Sequence, residues 1–316
     1  MKKKWSLLTS LFVAILVMSG CERAVVFDTN GPVAKTQANT INFSIIMLIG
    51  VMVVVYALFI FMLFKFRASK APKDYIPPHM EGSKLLEVIW TIIPIIIVTI
   101  LAVVTVRSTY EVEGTPKGYE DQKPLVIYAS SSNWKWHFSY PEEGIETVNY
   151  VNIPTNRVIE FRLYSYGPIS SFWVPQLGGQ KYAMSDMVTK LRLVADKPAS
   201  MMGRNANFTG EGFAHMDFEA LSMTPADYEE WVKDVKANEG KLTEAKFNKL
   251  LDTAHVGRQA YSSTHLEFSP PPEGHHGAHS SPSNESKDAD NVFDKDTEKG
   301  QSEHDNHMNH GDTDQK

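Results

Sequence analysis

Two long runs without charge dominate the first third of the chain. Ile41 to Phe64 spans 24 uncharged residues, and Val88 to Val106 spans 19. A helix rises about 1.5 Å per residue, so roughly 20 apolar residues cross the hydrocarbon layer of a membrane. Pro94 interrupts the second run, which a membrane helix tolerates because neighbouring groups satisfy the freed backbone. The pattern predicts a transmembrane helical hairpin over 41–107, preceded by an external segment over 21–40.

The hydrophobic pattern then shortens. Over 124–223, β-rich stretches alternate with turn residues: Leu125–Ser130, Trp134–Tyr140, Thr147–Ile153, Val158–Tyr164 and Val188–Val194. Regular short strands with Pro and Gly punctuation predict a sandwich or small barrel. From Thr224 the period becomes helical. Thr224-Pro225 marks a helix start, and Tyr228, Trp231, Val232 and Val235 follow at helical spacing. Thr243 to Leu251 forms a second helical candidate, so 224–268 is predicted as a helical extension. After Pro270–Pro272 the chain turns polar, acidic and histidine-rich. Residues 273–316 hold eleven Asp and Glu against four Lys and Arg, with almost no apolar content, and are predicted to be disordered. The histidines from His275 to His310 could bind metal weakly, but a solvated tail is the plainer reading.

Charge decides the orientation. The loop between the apolar runs carries Lys65, Arg67, Lys70, Lys73 and Lys84 against Asp74, Glu81 and Glu87. Cytoplasmic loops favour Lys and Arg, so this loop lies inside and everything after Arg107 lies outside. The N-terminus agrees. Lys2, Lys3 and Lys4 precede an apolar run from Leu7 to Met18, then Ser19, Gly20 and Cys21. That reads as a signal peptide over 1–20, ending in a box that resembles the bacterial lipoprotein cleavage site. Cys21 would then carry the lipid, anchoring the mature N-terminus outside the membrane. A single cysteine excludes an intramolecular disulfide. The net charge of −6 is concentrated in the tail, and no basic patch marks a nucleic-acid surface.

Two motifs carry chemistry. Leu86-Glu87-Val88-Ile89-Trp90 opens the second apolar run with a carboxylate at the membrane boundary. Asn133 to Tyr140 alternates aromatic and polar residues, which places Trp134, Trp136, Phe138 and Tyr140 on one face of a strand. Such a face makes a sandwich core or a docking surface. In this order, behind two membrane spans, the motifs resemble subunit II of the haem-copper respiratory oxidases over roughly residues 40–255.

The resemblance implies a cupredoxin-like Greek-key sandwich over 124–223. In the members that oxidise cytochrome c, that domain holds a dinuclear copper centre. Its ligands follow a pattern of a histidine before an aromatic-Pro segment, then C-x-E-x-C-x3-H-x2-M. Here Ser170 stands at the first histidine. Gly212 and Met216 replace the cysteines, Ala214 the glutamate and Ala220 the second histidine, and only Met223 is retained. Copper centres of this kind need thiolates, and Cys21 lies far from the domain. His215 with Met216 could not rescue a mononuclear site without one. The resemblance therefore implies the branch fed by quinol, in its Gram-positive menaquinol-oxidising form, rather than by cytochrome c. No metal or cofactor is expected in this chain. Haems and copper belong to subunit I, the expected partner, in a complex that reduces O₂ to water and pumps protons. Glu87 matches a glutamate near the entrance of a proton path into subunit I, although an interfacial carboxylate explains it as simply. Two other classes stay open: a cytochrome c oxidase subunit with an atypical metal site, and a membrane-anchored copper-binding or assembly protein. With no nucleophile–base pair or phosphate loop, catalysis by this chain alone is not expected.

Overall fold

The computed structural model describes residues 24–67 and 82–272. Two long helices come first, α1 over Pro32–Lys65 and α2 over Lys84–Glu113. Pro32 occupies the first turn of α1, where its fixed φ and missing N–H cost nothing. Both helices overrun the apolar segments on the outer side. At 34 and 30 residues they measure about 51 and 45 Å, against about 30 Å of hydrocarbon. Residues 32–40, expected in an external segment, are thus the outer turns of α1. The extra turns form a stalk that carries the outer domain.

The outer domain is a sandwich of eleven described strands. β1 (Leu125–Ser132), β2 (Lys135–Tyr140), β3 (Ile145–Val148), β5 (Ile159–Ser165), β8 (Thr189–Leu193) and β11 (Gln259–Tyr261) form one sheet, in the order β11-β3-β2-β1-β5-β8. The other contains β4 (Tyr150–Pro154), β6 (Ser170–Val174), β7 (Gly178–Ala183), β9 (Ala199–Asn205) and β10 (Asp217–Met223), in the order β4-β10-β9-β6-β7. Leu125, Ile127 and Ala129 of β1 point inward at every second position, as a half-buried strand requires. They meet Phe161, Phe172 and Phe218 in a core shared by both sheets.

Three expectations change. The stretch Thr147–Ile153 is not one strand: Asn149 turns with φ 57°, sending β3 to one sheet and β4 to the other. Trp134 is not in a strand either. Asn133 and Trp134 have φ of 27° and 59° and form the two-residue turn joining β1 to β2. The extension over 224–268 contains α3 (Pro225–Asn238) and α4 (Glu244–Asp252), and Thr224 and Thr243 cap them by accepting from the backbone N–H three residues on. It also contains β11, which pairs with β3, so the extension completes the sheet rather than only covering it.

The sandwich sits directly on the stalk. Gly178 has φ 83°, and a side chain there would lie 2.7 Å from the backbone nitrogen of Ala34. Val33, Ala34 and Ala38 are buried in that contact. Asn30 clamps the entry from the other side. Its Nδ2 donates to Lys197 O at 3.0 Å, and its Oδ1 accepts from Lys197 N at 3.1 Å. Lys181 pairs with Glu113 at the outer end of α2, 2.7 Å apart.

Candidate functional site

The region that aligns with the copper loop lies at one end of the sandwich, between the β1–β2 turn, the start of β6 and residues 206–216. Gly212 belongs to a 3-10 turn over Glu211–His215. The Trp134 indole lies flat against it, and a Cβ at 212 would overlap the ring. Trp134 Nε1 donates to Thr209 O at 2.9 Å, which fixes the ring over the loop and offsets its left-handed backbone. Beneath lies a cavity of about 220 Å³ lined by Ser131, Ser132, Ser165, Ser170, Thr209 and Met216. The Met216 sulfur already accepts from Asn205 Nδ2 at 3.2 Å.

The structure redraws the ligand pattern. Ser170 and Met216 line one cavity. Ala214 is exposed. Ala220 lies inside β10, opposite Met201 and Val151, with its methyl group in the core. Met223 ends the same strand opposite Pro154. Seven residues of extended chain separate it from Met216, about 23 Å. The sulfur at this end of the sandwich is therefore Met216, not Met223. One thioether and a set of hydroxyls line it, already engaged in hydrogen bonds. A dinuclear copper centre does not fit these residues, because no thiolate is present to bridge the metals.

The aromatic residues divide in the same way. Trp136, Phe138 and Tyr140 are completely buried. Trp136 meets Phe172 edge-on at 5.4 Å, Phe138 lies 5.0 Å from Phe218, and Tyr140 packs on Trp231 at 5.5 Å. Burial pushes the Tyr140 phenol up, and its oxygen accepts from Asn152 N and donates to Asn152 O. These three cannot be a docking face; they are the core. Trp134 alone reaches the surface, stacked on His255 in a groove that His215 also lines.

The opposite face of β2 holds what sequence reasoning missed. Lys135, His137 and Ser139 alternate with the aromatics and are fully buried, because α4 and the segment after β11 cover them. Glu146 of β3 lies at the centre. Its Oε2 accepts from Ser139 Oγ at 2.8 Å, from the backbone N–H of His265 at 2.9 Å and from His265 Nδ1 at 2.7 Å. With Nδ1 protonated, His265 Nε2 accepts from the Tyr164 hydroxyl at 2.6 Å. Phe247 of α4 stacks on His265 at 4.4 Å. Tyrosine, imidazole and carboxylate in series could pass a proton, yet all three are sealed from solvent. Their position ties the extension to the sheet. His137 Nδ1 lies 3.8 Å from Glu146 Oε1. Burial, then the neighbouring His265 and Lys135, hold His137 well below the ordinary imidazole range. Burial also brings the Lys135 ammonium down to about 8. The polar half of the alternating strand was the available signal.

Glu87 is exposed in the first turn of α2, where a carboxylate complements the helix dipole. Cys21, the loop lysines Lys70 and Lys73 and the tail over 273–316 lie outside the described residues.

Residues 23–107 match the family described as cytochrome c oxidase subunit II, transmembrane domain. The chain is 46% identical to quinol oxidase subunit 2 of Bacillus cereus over 272 residues, covering 85% of this chain and 94% of that protein. It is 44% identical to quinol oxidase subunit 2 of Bacillus subtilis over 263 residues, covering 83% and 82%. Among solved structures, the periplasmic domain of cytochrome oxidase subunit II of Bradyrhizobium japonicum is a slighter likeness. It has a TM-score of 0.35 and 22% identity, over 36% of this chain and 94% of that one.

Proposed function

This chain belongs to the subunit 2 family of the quinol oxidases, within the haem-copper oxidases, and from that premise we propose that it is the accessory second subunit of a proton-pumping complex oxidising quinol, menaquinol in particular, and reducing O₂ to water. The hairpin packs on subunit I, which carries the haems and the copper of the oxygen site. The sandwich caps the outer face, and a lipid on Cys21 adds an anchor. Glu87 stands at the inner boundary as a proton donor to subunit I.

One observation carries the reading: the sulfur at this end of the sandwich is the Met216 thioether, which already accepts from Asn205 Nδ2 at 3.2 Å. The outer domain has no cysteine. Cytochrome c is a one-electron donor that works from outside the membrane and needs a relay metal. Quinol is lipid-soluble and reaches a membrane haem directly. Loss of the relay loop is consistent with that change of donor.

Purification of the native complex, followed by assays with quinol and with reduced cytochrome c, tests the proposal. Quinol-supported O₂ consumption without cytochrome c oxidation is expected. Rapid oxidation of cytochrome c, with stoichiometric copper in the outer domain, would favour an atypical cytochrome c oxidase subunit. Purification without a multi-haem partner would favour a copper carrier.

A further inference from the structure

A groove of about 660 Å³ lies beside the β1–β2 turn, between the 3-10 turn over Glu211–His215 and the loop that follows α4. It brings two exposed histidines together from different parts of the chain, His215 and His255. Their ring centres are 5.9 Å apart, with the planes at 81°. Neither ring hydrogen-bonds to, or pairs with a charge on, any of the described residues.

His255 is held in place. Its backbone has φ 49°, a left-handed conformation that is costly for a non-glycine residue. The Trp134 indole stacks on its ring at 5.5 Å and 14°, and Trp134 is itself tied to Thr209 O. Asn149 Nδ2 donates to Val256 O at 2.6 Å, which pins the next residue of the loop. Stacking engages the flat face of the imidazole and leaves its nitrogens on the edge. His215 comes from the other side, at the end of a turn closed by Met216 N donating to Phe213 O at 3.1 Å. Arg258, the cation of the groove, is taken up by Glu219. Asp217 lines the same groove, and its carboxylate has no partner among the described residues. The unbalanced charge there favours a cation.

Neutral imidazole is a ligand for zinc, copper and nickel ions. Two imidazoles on one tetrahedral zinc, each nitrogen about 2.0–2.1 Å from the ion, put their ring centres roughly 5 Å apart. A turn of the exposed His215 side chain supplies the difference. Among the described residues no three His, Cys, Asp or Glu side chains form a group that could hold a metal. Water therefore completes the shell, and the ion exchanges with the outside.

We propose that His215 and His255 together bind zinc(II), which bridges the 3-10 turn to the loop after α4. Zinc(II) has no redox chemistry, so the site is no electron relay and stands apart from the question of the electron donor.

The test uses the full chain in its purified complex, with zinc chloride as the added ion and diethyl pyrocarbonate to modify free imidazoles. Mass spectrometry reads the peptides carrying His215 and His255 separately from those carrying the histidines of 273–316. Zinc should protect both positions with one midpoint, slowing modification about tenfold at about ten times the dissociation constant. His215→Gln should abolish the protection of His255, and His255→Gln that of His215. His215→Cys, which supplies another zinc ligand, should restore the protection of His255. Protection of His255 that survives His215→Gln, or that is absent from both the Gln and the Cys variants, would overturn the proposal. Protection lost on replacing the histidines of 273–316 would move the ion to that segment and overturn it as well.

Discussion

The Nδ1 of His265 lies 2.7 Å from the Glu146 carboxylate, with both side chains wholly buried. The two residues are 119 positions apart, one on β3 and the other beyond β11. Their bond locks the C-terminal extension over the polar face of β2. Glu146→Leu removes the acceptor for Ser139, for His265 N–H and for His265 Nδ1 at once. A buried donor left unsatisfied costs about 1–3 kcal/mol. A loss of about 3 kcal/mol is expected, read as a lowered midpoint in chemical denaturation. Hydrogen exchange should rise first in Gln259–Tyr261, since β11 is held by that lock.

The same cluster gives the outer domain a pH dependence. His137 has a folded pKa below its unfolded value of about 6.5. Its neutral form is the one that folds. Stability is complete above about pH 6.5 and declines as the pH falls below it, because the unfolded chain then binds the extra proton. Denaturation midpoints at pH 7.5 and 5.5 should differ in that direction, and His137→Asn should narrow the gap. An unchanged gap would remove His137 from the acid response.

Lys135 acts at the alkaline end. Its ammonium is lowered to about 8 from 10.5, so at neutral pH the fold carries the cost of a buried charge. That cost fades as the pH rises from about 8 towards 10.5, and wild-type stability should rise with it. Lys135→Met should be more stable than the wild type at pH 7, by a margin that shrinks across the same interval. Parallel denaturation curves at the two pH values check this.

Cysteines at the two positions that the motif spacing assigns should not create a copper site. Gly212→Cys pushes a side chain into the Trp134 ring, at a cost of about 2 kcal/mol for overpacking. The double variant Gly212→Cys with Met216→Cys should show no near-infrared band on adding copper. Trp134→Ala should recover stability in the Gly212→Cys background. A dinuclear copper spectrum with Trp134 intact would contradict the geometry.

Gly178→Ala should loosen the seat of the sandwich on the stalk. It combines a φ of 83° with a methyl group 2.7 Å from the Ala34 backbone, worth about 2 kcal/mol or more. Earlier proteolysis between Glu113 and Leu125 in the purified chain is the expected readout. At the inner end of α2, Glu87→Gln should slow proton uptake while the oxygen centre is reduced. An unchanged uptake rate would exclude Glu87 from the proton path.

Much of this molecule was legible in the chain. Two uncharged runs required two long helices, and Thr224-Pro225 and Thr243 marked helix starts. Each of those features is local: hydropathy and capping act through neighbouring residues. Tertiary structure decided the rest. Whether Trp134 continued a strand or turned over Gly212 depended on a loop 78 residues away. Which methionine reached the cavity beside the β1–β2 turn depended on where β10 began, since one face of a strand moves about 3.3 Å per residue away from a loop. Lys135, His137 and Ser139 follow an alternation that suits solvent as well as it suits burial. Only the return of residues 247–265 across that face made it an interior, because burial is set by what packs from elsewhere in the chain and leaves no periodic trace in the strand it covers.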